Sequence, residues 1–164
     1  MKAQLSPLVL LDFAILNCNF KFITPASEEN IQKLVASYEL DIDFALPEQE
    51  DKITRAFIKV SVNQGKVILP GYSIFAEGVA FFKLSPEANL SKEDMDNLLQ
   101  YSAVSIALNS LRGFISSLTA NAPHGRYILP SIDVNALFKE KAKTTETEKT
   151  VLKNKKINTL KSKK

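Results

Sequence analysis

A chain of 164 residues and 18.2 kDa is long enough for one core and too short for two ordinary domains. Apolar residues make up 45% and charged residues 24%, which excludes wholesale disorder. The formal net charge of +3 hides a segregation: Lys139 to Lys164 hold ten Lys against three Glu, net +7, while the residues before them hold eleven basic against fifteen acidic, net −4. A single Cys18 excludes an intramolecular disulfide, and Cys18 with His124 falls short of a zinc ligand set, so no metal or cofactor is expected. The short apolar run Pro7 to Leu11 is broken by Asp12, unlike a signal-peptide core, and no run approaches the ~20 apolar residues of a membrane span. The expected compartment is the cytoplasm.

From Val9 to Phe22, Leu11, Phe13 and Ile15 alternate with Asp12, Ala14 and Leu16, the period of a first strand. Thr24-Pro25-Ala26-Ser27 closes it, and Ser27 can cap a brief turn through Glu28, Glu29 and Asn30. A second strand puts Tyr38, Leu40, Ile42 and Phe44 on one face and Glu39, Asp41 and Asp43 on the other. The polar stretch Pro47 to Asp51 then suits a hairpin. A third strand sets Ala56, Ile58, Val60 and Val62 opposite Arg55, Phe57, Lys59 and Ser61, and Asn63-Gln64-Gly65-Lys66 turns it back. The fourth runs from Val67 to Leu84, with Pro70-Gly71 and Gly78 predicting a bend or bulge.

After Leu84 the period changes. Ser91 with Asp94 three positions on has the form of a capping box. Met95, Leu98, Leu99, Val104, Leu108, Leu111, Ile115 and Leu118 then mark one apolar stripe, giving a helix to about Asn121, ~45 Å long at 1.5 Å per residue. Gln100 to Ser105 is polar and β-branched enough for a kink. Ala122-Pro123-His124-Gly125 ends the helix, and Ser131 or Asp133 can cap a second short one through Val134, Leu137 and Phe138. The expected fold class is α+β: a four-stranded antiparallel β-meander, one long helix, then a short C-terminal helix. A single domain is expected over residues 1–138, and a lysine-rich tail over 139–164 that extends the helix and then becomes disordered. Small residues near the stripe (Ala103, Ala107, Ser110, Gly113, Ser117) point to helix-on-helix contact, hence self-association.

Enzyme signatures are missing: no glycine-rich phosphate loop, no GxSxG and no paired metal ligands. The reading is of a protein that is not an enzyme. An α+β enzyme for a small ligand, with a carboxylate among Glu93, Asp94 and Asp96 near a helix start, is the competing class. His124 reads as a loop residue, and Asp41 with Asp43 as a solvated or docking face rather than a cation site. Tyr72, Phe75, Phe81 and Phe82 crowd one strand, where core packing and an apolar groove for extended peptide both remain open. The tail has no Arg and no interleaved aromatic, which argues against nucleic acid as a partner.

The segment Ala107-Leu-Asn-Ser-Leu-Arg-Gly-Phe-Ile-Ser-Ser-Leu118, then Ala122-Pro123, then Tyr127-Ile-Leu-Pro-Ser-Ile-Asp-Val-Asn-Ala-Leu-Phe138 resembles the SecB protein-export chaperone family. Arg112 matches the family's helix Arg-x-x-Ile/Leu pattern, and Leu129, Ile132, Leu137 and Phe138 match its Leu-x-Pro-(Val/Ile)-Asn-Phe-x-x-Leu-(Phe/Tyr) ending, with Asp133 and Val134 in place of Asn-Phe. Leu40-Asp-Ile-Asp43 and Phe20-Lys-Phe22 with Pro25 are similar to its early strands. The resemblance implies a homo-oligomer, a dimer of dimers, with helices such as Leu108, Leu111, Arg112 and Ile115 between outer sheets. It also implies a holdase that keeps unfolded preproteins competent for the Sec translocase without insertion into the membrane. Client contact would fall on Tyr38, Leu40, Ile42, Tyr72 and Phe75, and docking on SecA would use the acidic face of Asp41 and Asp43. Family members place acidic residues near positions that here are Asn19, Ile23 and Ile74, all uncharged. A branch that serves an antitoxin of a toxin–antitoxin module is the alternative.

Overall fold

In the computed structural model the described residues are 2–25, 31–47, 53–85 and 90–144. They form two compact units, Met1–Pro130 and Ser131–Lys164. In the first, strand β1 (Leu8–Ile23), a short helix α1 (Ile31–Val35), and strands β2 (Leu40–Ala45), β3 (Ile53–Val62) and β4 (Gly71–Leu84) precede α2 (Lys92–Asn97), a π-helical turn (Leu98–Ser102) and α3 (Ala103–Leu118). In the second, helix α4 covers residues 134–144, and Asp133 caps it by accepting the Ala136 N–H at 3.1 Å. The boundary expected at Phe138 lies inside α4. The turn expected at 28–30, most of the β2–β3 hairpin connection and the tail beyond 144 lie outside the described residues.

The α+β class is as expected: four antiparallel strands, a long helix and a short C-terminal helix. Their order adds a crossover, because the sheet runs β1-β4-β3-β2. Only β2, β3 and β4 follow as a meander, and β1 returns to pair with β4, a Greek-key arrangement. The alternation that defines each strand does not encode which neighbour it takes. Nor does β1 keep one period. The register slips at Leu11 and again at Leu16, so two β-bulges set its 16 residues against the 14 of β4. The side chains that share a face with Tyr72, Ile74 and Ala80 are therefore Phe22, Phe20 and Phe13, with the parity reset at each bulge. The irregularity expected on β4 thus falls mainly on its partner.

Gly78 on β4 explains part of this geometry. A Cβ there would lie 2.6 Å from Phe13 Cζ and 3.1 Å from the Ala14 carbonyl oxygen, so the Phe13 ring crosses β4 over its glycine. The fourth strand begins at Gly71 rather than Val67, since Pro70 has no N–H to donate and Gly71 sits at φ 105.

The core lies between the sheet and α3. Ala56, Ile58, Val60 and Val62 of β3 and Tyr72, Ile74, Ala76, Ala80 and Phe82 of β4 are buried, and they meet Ala103, Val104, Ala107, Leu108, Leu111 and Ile115 of the helix. The expected stripe steps by five from Leu99 to Val104, one residue more than an α-helical repeat. The π turn at Leu98–Ser102 takes up that extra residue, in the stretch where a kink was expected. Ser91 caps α2: its hydroxyl accepts the Asp94 N–H at 3.1 Å and donates to Asp94 Oδ2 at 2.6 Å. The helix ends at Leu118, three residues before Asn121, where the C-capping Thr119 donates both its N–H, at 3.1 Å, and its hydroxyl, at 2.9 Å, to the Ile115 carbonyl.

Because Leu111 is fully buried at the centre of this contact, Leu111→Ala is expected to destabilise the fold by about 2–5 kcal/mol. The midpoint of a urea titration followed by circular dichroism measures it.

Candidate functional site

Six side chains organise one end of the sheet. Tyr38 Oη donates to the Pro70 carbonyl at 2.8 Å and accepts the Tyr72 N–H at 3.0 Å. Tyr72 Oη in turn donates to the Gly125 carbonyl at 2.7 Å and accepts the His124 N–H at 3.0 Å. Tyr127 packs between the two rings, 6.2 Å from Tyr38 and 6.5 Å from Tyr72, while its N–H donates to Thr119 Oγ1 at 2.8 Å. Arg112 closes the far side: Nε reaches the Leu129 carbonyl at 3.0 Å, Nη2 the Pro130 carbonyl at 2.8 Å and Nη1 Asn109 Oδ1 at 2.5 Å. Residues 119–130 are thereby strapped to the sheet and to α3. Asn63 folds the opposite loop in the same way, with φ 55 and its amide bonded to the Leu69 and Tyr72 carbonyls and the Leu69 N–H, each at 2.8 Å.

This network assigns Tyr38 and Tyr72, expected on a client surface, to the interior. Tyr72 is 1% exposed, with Phe20 and Phe22 against its ring at 5.7 and 6.2 Å. Its phenol and ring are both engaged within the chain. Leu108, Leu111 and Ile115, expected on a helix between outer sheets, pack on their own sheet, and Arg112 holds the strap. Ala103 and Ala107 are also buried, whereas Asn109, Gly113 and Ser117 form the outward stripe of α3.

Leu40 and Ile42 remain half-buried on β2, opposite the buried Val62 and Val60. They share the inner face with Phe44, at the edge of the sheet that α3, lying mainly over β3 and β4, covers least. Phe75 lies on the opposite face from Tyr72, half-buried across from Ser61 and Asn19. Asp41 and Asp43 share that outer face. Asp43 Oδ2 stands 3.8 Å from Lys59 Nζ, an exposed pair worth little in water, and Oδ1 accepts the Phe44 N–H at 2.9 Å. Asp41 and Glu39 line a shallow polar pocket of about 320 Å³ with Leu40, Ser61, Gln64 and Gly65. The expected residues therefore divide into an inner apolar pair, an outer acidic pair with Phe75, and two buried tyrosines.

At the other edge, β1 exposes Val9, Leu10, Leu11 and Leu16. Val67 and Ile68 project from the loop that Asn63 shapes. Glu93, Asp94 and Asp96 are exposed on the six-residue α2, and His124 is exposed with its ring 5.3 Å from Phe22. Among the described residues no group of three or more His, Cys, Asp or Glu side chains is placed to hold a metal ion, and no helix is long and apolar enough to cross a membrane. Asn63, Thr119 and Tyr127 were not among the expected site residues. The Asn63-Gln64-Gly65 turn signal marked the first, and nothing in the period marked the other two.

No family model and no curated protein matches the sequence. Solved structures do match. The Mycobacterium tuberculosis Rv1957 SecB-like chaperone, in complex with a ChAD peptide from the Rv1956 HigA1 antitoxin, superposes with a TM-score of 0.55 at 12% identity, covering 77% of this chain and 91% of that one. A protein of unknown function from Streptococcus agalactiae gives a TM-score of 0.39 at 11% identity over 76% of this chain and 97% of that one. The chain thus has the fold of a SecB-like chaperone, at a distance where sequence retains little of it.

Burial pushes the Tyr127 phenol up from its ordinary value of 10.0 to about 12, with the nearby Tyr38 adding to it. The folded state therefore holds this proton more tightly than the unfolded chain does. Its contribution to stability is complete below pH 10 and is lost as the pH rises from 10 to 12. Tyr127→Phe should flatten the fall in urea midpoint over that window. In a separate test, Tyr72→Phe should cost about 1–3 kcal/mol and speed hydrogen exchange at the His124 amide, which loses its acceptor.

Proposed function

We propose that this protein is a holdase that binds unfolded polypeptides along the half-covered apolar flank of its sheet, without catalysis. The observation that carries the reading is the shared fold with a SecB-like chaperone whose structure contains a bound peptide. Leu40 and Ile42 on β2 support it, because they offer apolar surface beside an exposed backbone edge. Many weak contacts of this kind favour an extended chain without demanding a sequence. In this reading the protein acts in the cytoplasm as a homo-oligomer, a dimer of dimers. The exposed apolar residues of β1 and the outward stripe of α3 supply the contact surfaces.

Two deliveries follow from the reading. In the first the clients are preproteins bound for the Sec translocase, and Asp41 and Asp43 dock on SecA. In the second the client is an antitoxin. The antitoxin peptide held by the Rv1957 chaperone favours the second, as does the burial of Ile74, which removes one expected docking position from the outer face.

Light scattering from a slow-folding protein at increasing chaperone concentration, with sizing chromatography, tests the holdase. Suppression by an oligomer is expected, and a monomer that fails to suppress aggregation overturns it. Leu40→Asp should weaken client binding about tenfold, ~1.4 kcal/mol, while Asp41→Asn changes it less than about twofold. The reverse order would assign clients to the outer face. Titration of purified SecA, with Asp41→Asn/Asp43→Asn as the control, separates the two deliveries.

A further inference from the structure

The outer face of the sheet, opposite α3, is ordered in rows. On β3 the residues Arg55, Phe57 and Lys59 turn outward, and on β4 Phe81, Val79 and Glu77 do so. The ladder register sets Arg55 beside Phe81, Phe57 beside Val79, and Lys59 beside Glu77. Phe57 and Phe81 are half-buried, and Val79 is only 3% exposed although α3 closes the other face. The middle row is flanked by small side chains, Ala14 on β1 and Ala45 on β2. In the third row Lys59 stands between Glu77 and Asp43, with Asp43 Oδ2 at 3.8 Å. An apolar centre thus lies between a guanidinium on one side and a row of alternating charges on the other, the anatomy of a contact surface.

We propose that this face pairs with the same face of a second copy, the two sheets stacked about a twofold axis that runs along the strands between β3 and β4. The inference is independent of the holdase reading, whose surfaces are the apolar flank, β1 and the outward stripe of α3. Rotation about such an axis keeps each row level and exchanges the two strands, so β3 of one copy lies over β4 of the other. Phe57 then meets Val79 of the second copy, and Val79 meets its Phe57. Lys59 comes over Glu77 of the second copy and Glu77 over its Lys59, which closes a four-charge cluster of alternating sign. Arg55 comes over the Phe81 ring, a cation on an aromatic face. Asp43, at the β2 edge of its row, falls opposite the uncharged Asn17. No like charges meet in these rows, and a face that matches itself under a twofold rotation is the condition for an isologous contact. Aligned sheets pack at about −30°, so the match holds near the crossing point and drifts by one strand within ~10 Å of it. That places the crossing at the Phe57 row, with the charged rows ~6.8 Å to either side. A patch of this extent gives a weak contact that depends on concentration.

The test is charge reversal in trans on the full-length chain, read by sedimentation velocity. Lys59→Glu alone sets carboxylate against carboxylate across the axis, and Glu77→Lys alone sets ammonium against ammonium. Each should self-associate through this face about tenfold more weakly than the wild type, or weaker still. An equimolar mixture of the two variants restores both cross-axis pairs, and it should form larger species than either variant does alone at the same total concentration. Lys59→Glu/Glu77→Lys in one chain should return to wild-type association. Contacts through β1 or α3 are untouched by these substitutions, so any oligomer they build is the common baseline. A mixture that sediments as its components do separately overturns the proposal, and so does a single variant that associates as the wild type does. The wild type supplies an arm that needs no variant to fold: its largest species should grow with protein concentration and recede about fivefold as NaCl rises from about 50 mM to about 500 mM. A size that does not change with protein concentration, or with salt, overturns it as well.

Discussion

One helix covers a four-stranded sheet, and it is too narrow for the task. An α-helix with its side chains is about 10–12 Å across, while four strands at ~4.8 Å spacing set their outer members roughly 14 Å apart. The helix α3 accordingly closes over β3 and β4, where every inward residue from Thr54 to Val62 and from Tyr72 to Phe82 is buried. The two outer strands keep inner faces that are only partly covered: Leu40 and Ile42 on β2, and Phe13, Ile15 and Phe20 on β1. The exposed apolar surface is thus a consequence of the layer geometry, and a protein with this architecture must either hide it between copies or use it.

Such a cover holds only if the helix is fixed in position. Its far end is secured by hydroxyls and a guanidinium instead of by further apolar area. Tyr38 and Tyr72 carry the Pro70 and Gly125 carbonyls, Thr119 links the helix end to Tyr127, and Arg112 binds two successive carbonyls at Leu129 and Pro130. Every buried side-chain polar atom among the described residues has a partner, as a buried network requires if it is to stabilise a fold rather than weaken it. The strap also explains why aromatic residues near the sheet end are internal despite their polar tips. A buried tyrosine needs a partner for its hydroxyl, and loop carbonyls provide one.

The periods of two and of three to four were legible and located the strands, the helix and its cap at Ser91. Even the π turn left a trace, in the five-residue step from Leu99 to Val104. What the periods could not carry was pairing. Nothing in Leu8–Ile23 shows that it joins β4 rather than β2, and the bulges at Leu11 and Leu16 were invisible because each bulged residue is apolar like the Leu10 or Ile15 that precedes it. For the same reason the aromatic residues of β4 were ambiguous: Tyr72 and Phe75 differ in parity and so in face, but only the Tyr72 phenol, bonded to Gly125, shows which face is internal. Leu108, Leu111 and Ile115 were recognised as an apolar stripe, yet a stripe does not specify whether sheet or second helix fills it.

Open edges make a sheet prone to uncontrolled pairing, and here each edge strand carries the same local device. Asp12 Oδ1 accepts the Phe13 N–H at 2.8 Å on β1, just past the first bulge, as Asp43 Oδ1 accepts that of Phe44 on β2. A carboxylate folded back onto the next N–H occupies one donor and sets a negative charge beside it. An approaching strand meets a blocked position and must register elsewhere. On β2 this leaves Leu40 and Ile42 between the Asp43 cap and the Tyr38 anchor. The acidity of the body is then a property of its edges as much as of its surface. Asp12 and Asp43 place part of that acidity directly on the two edge strands, each beside a backbone N–H that it occupies.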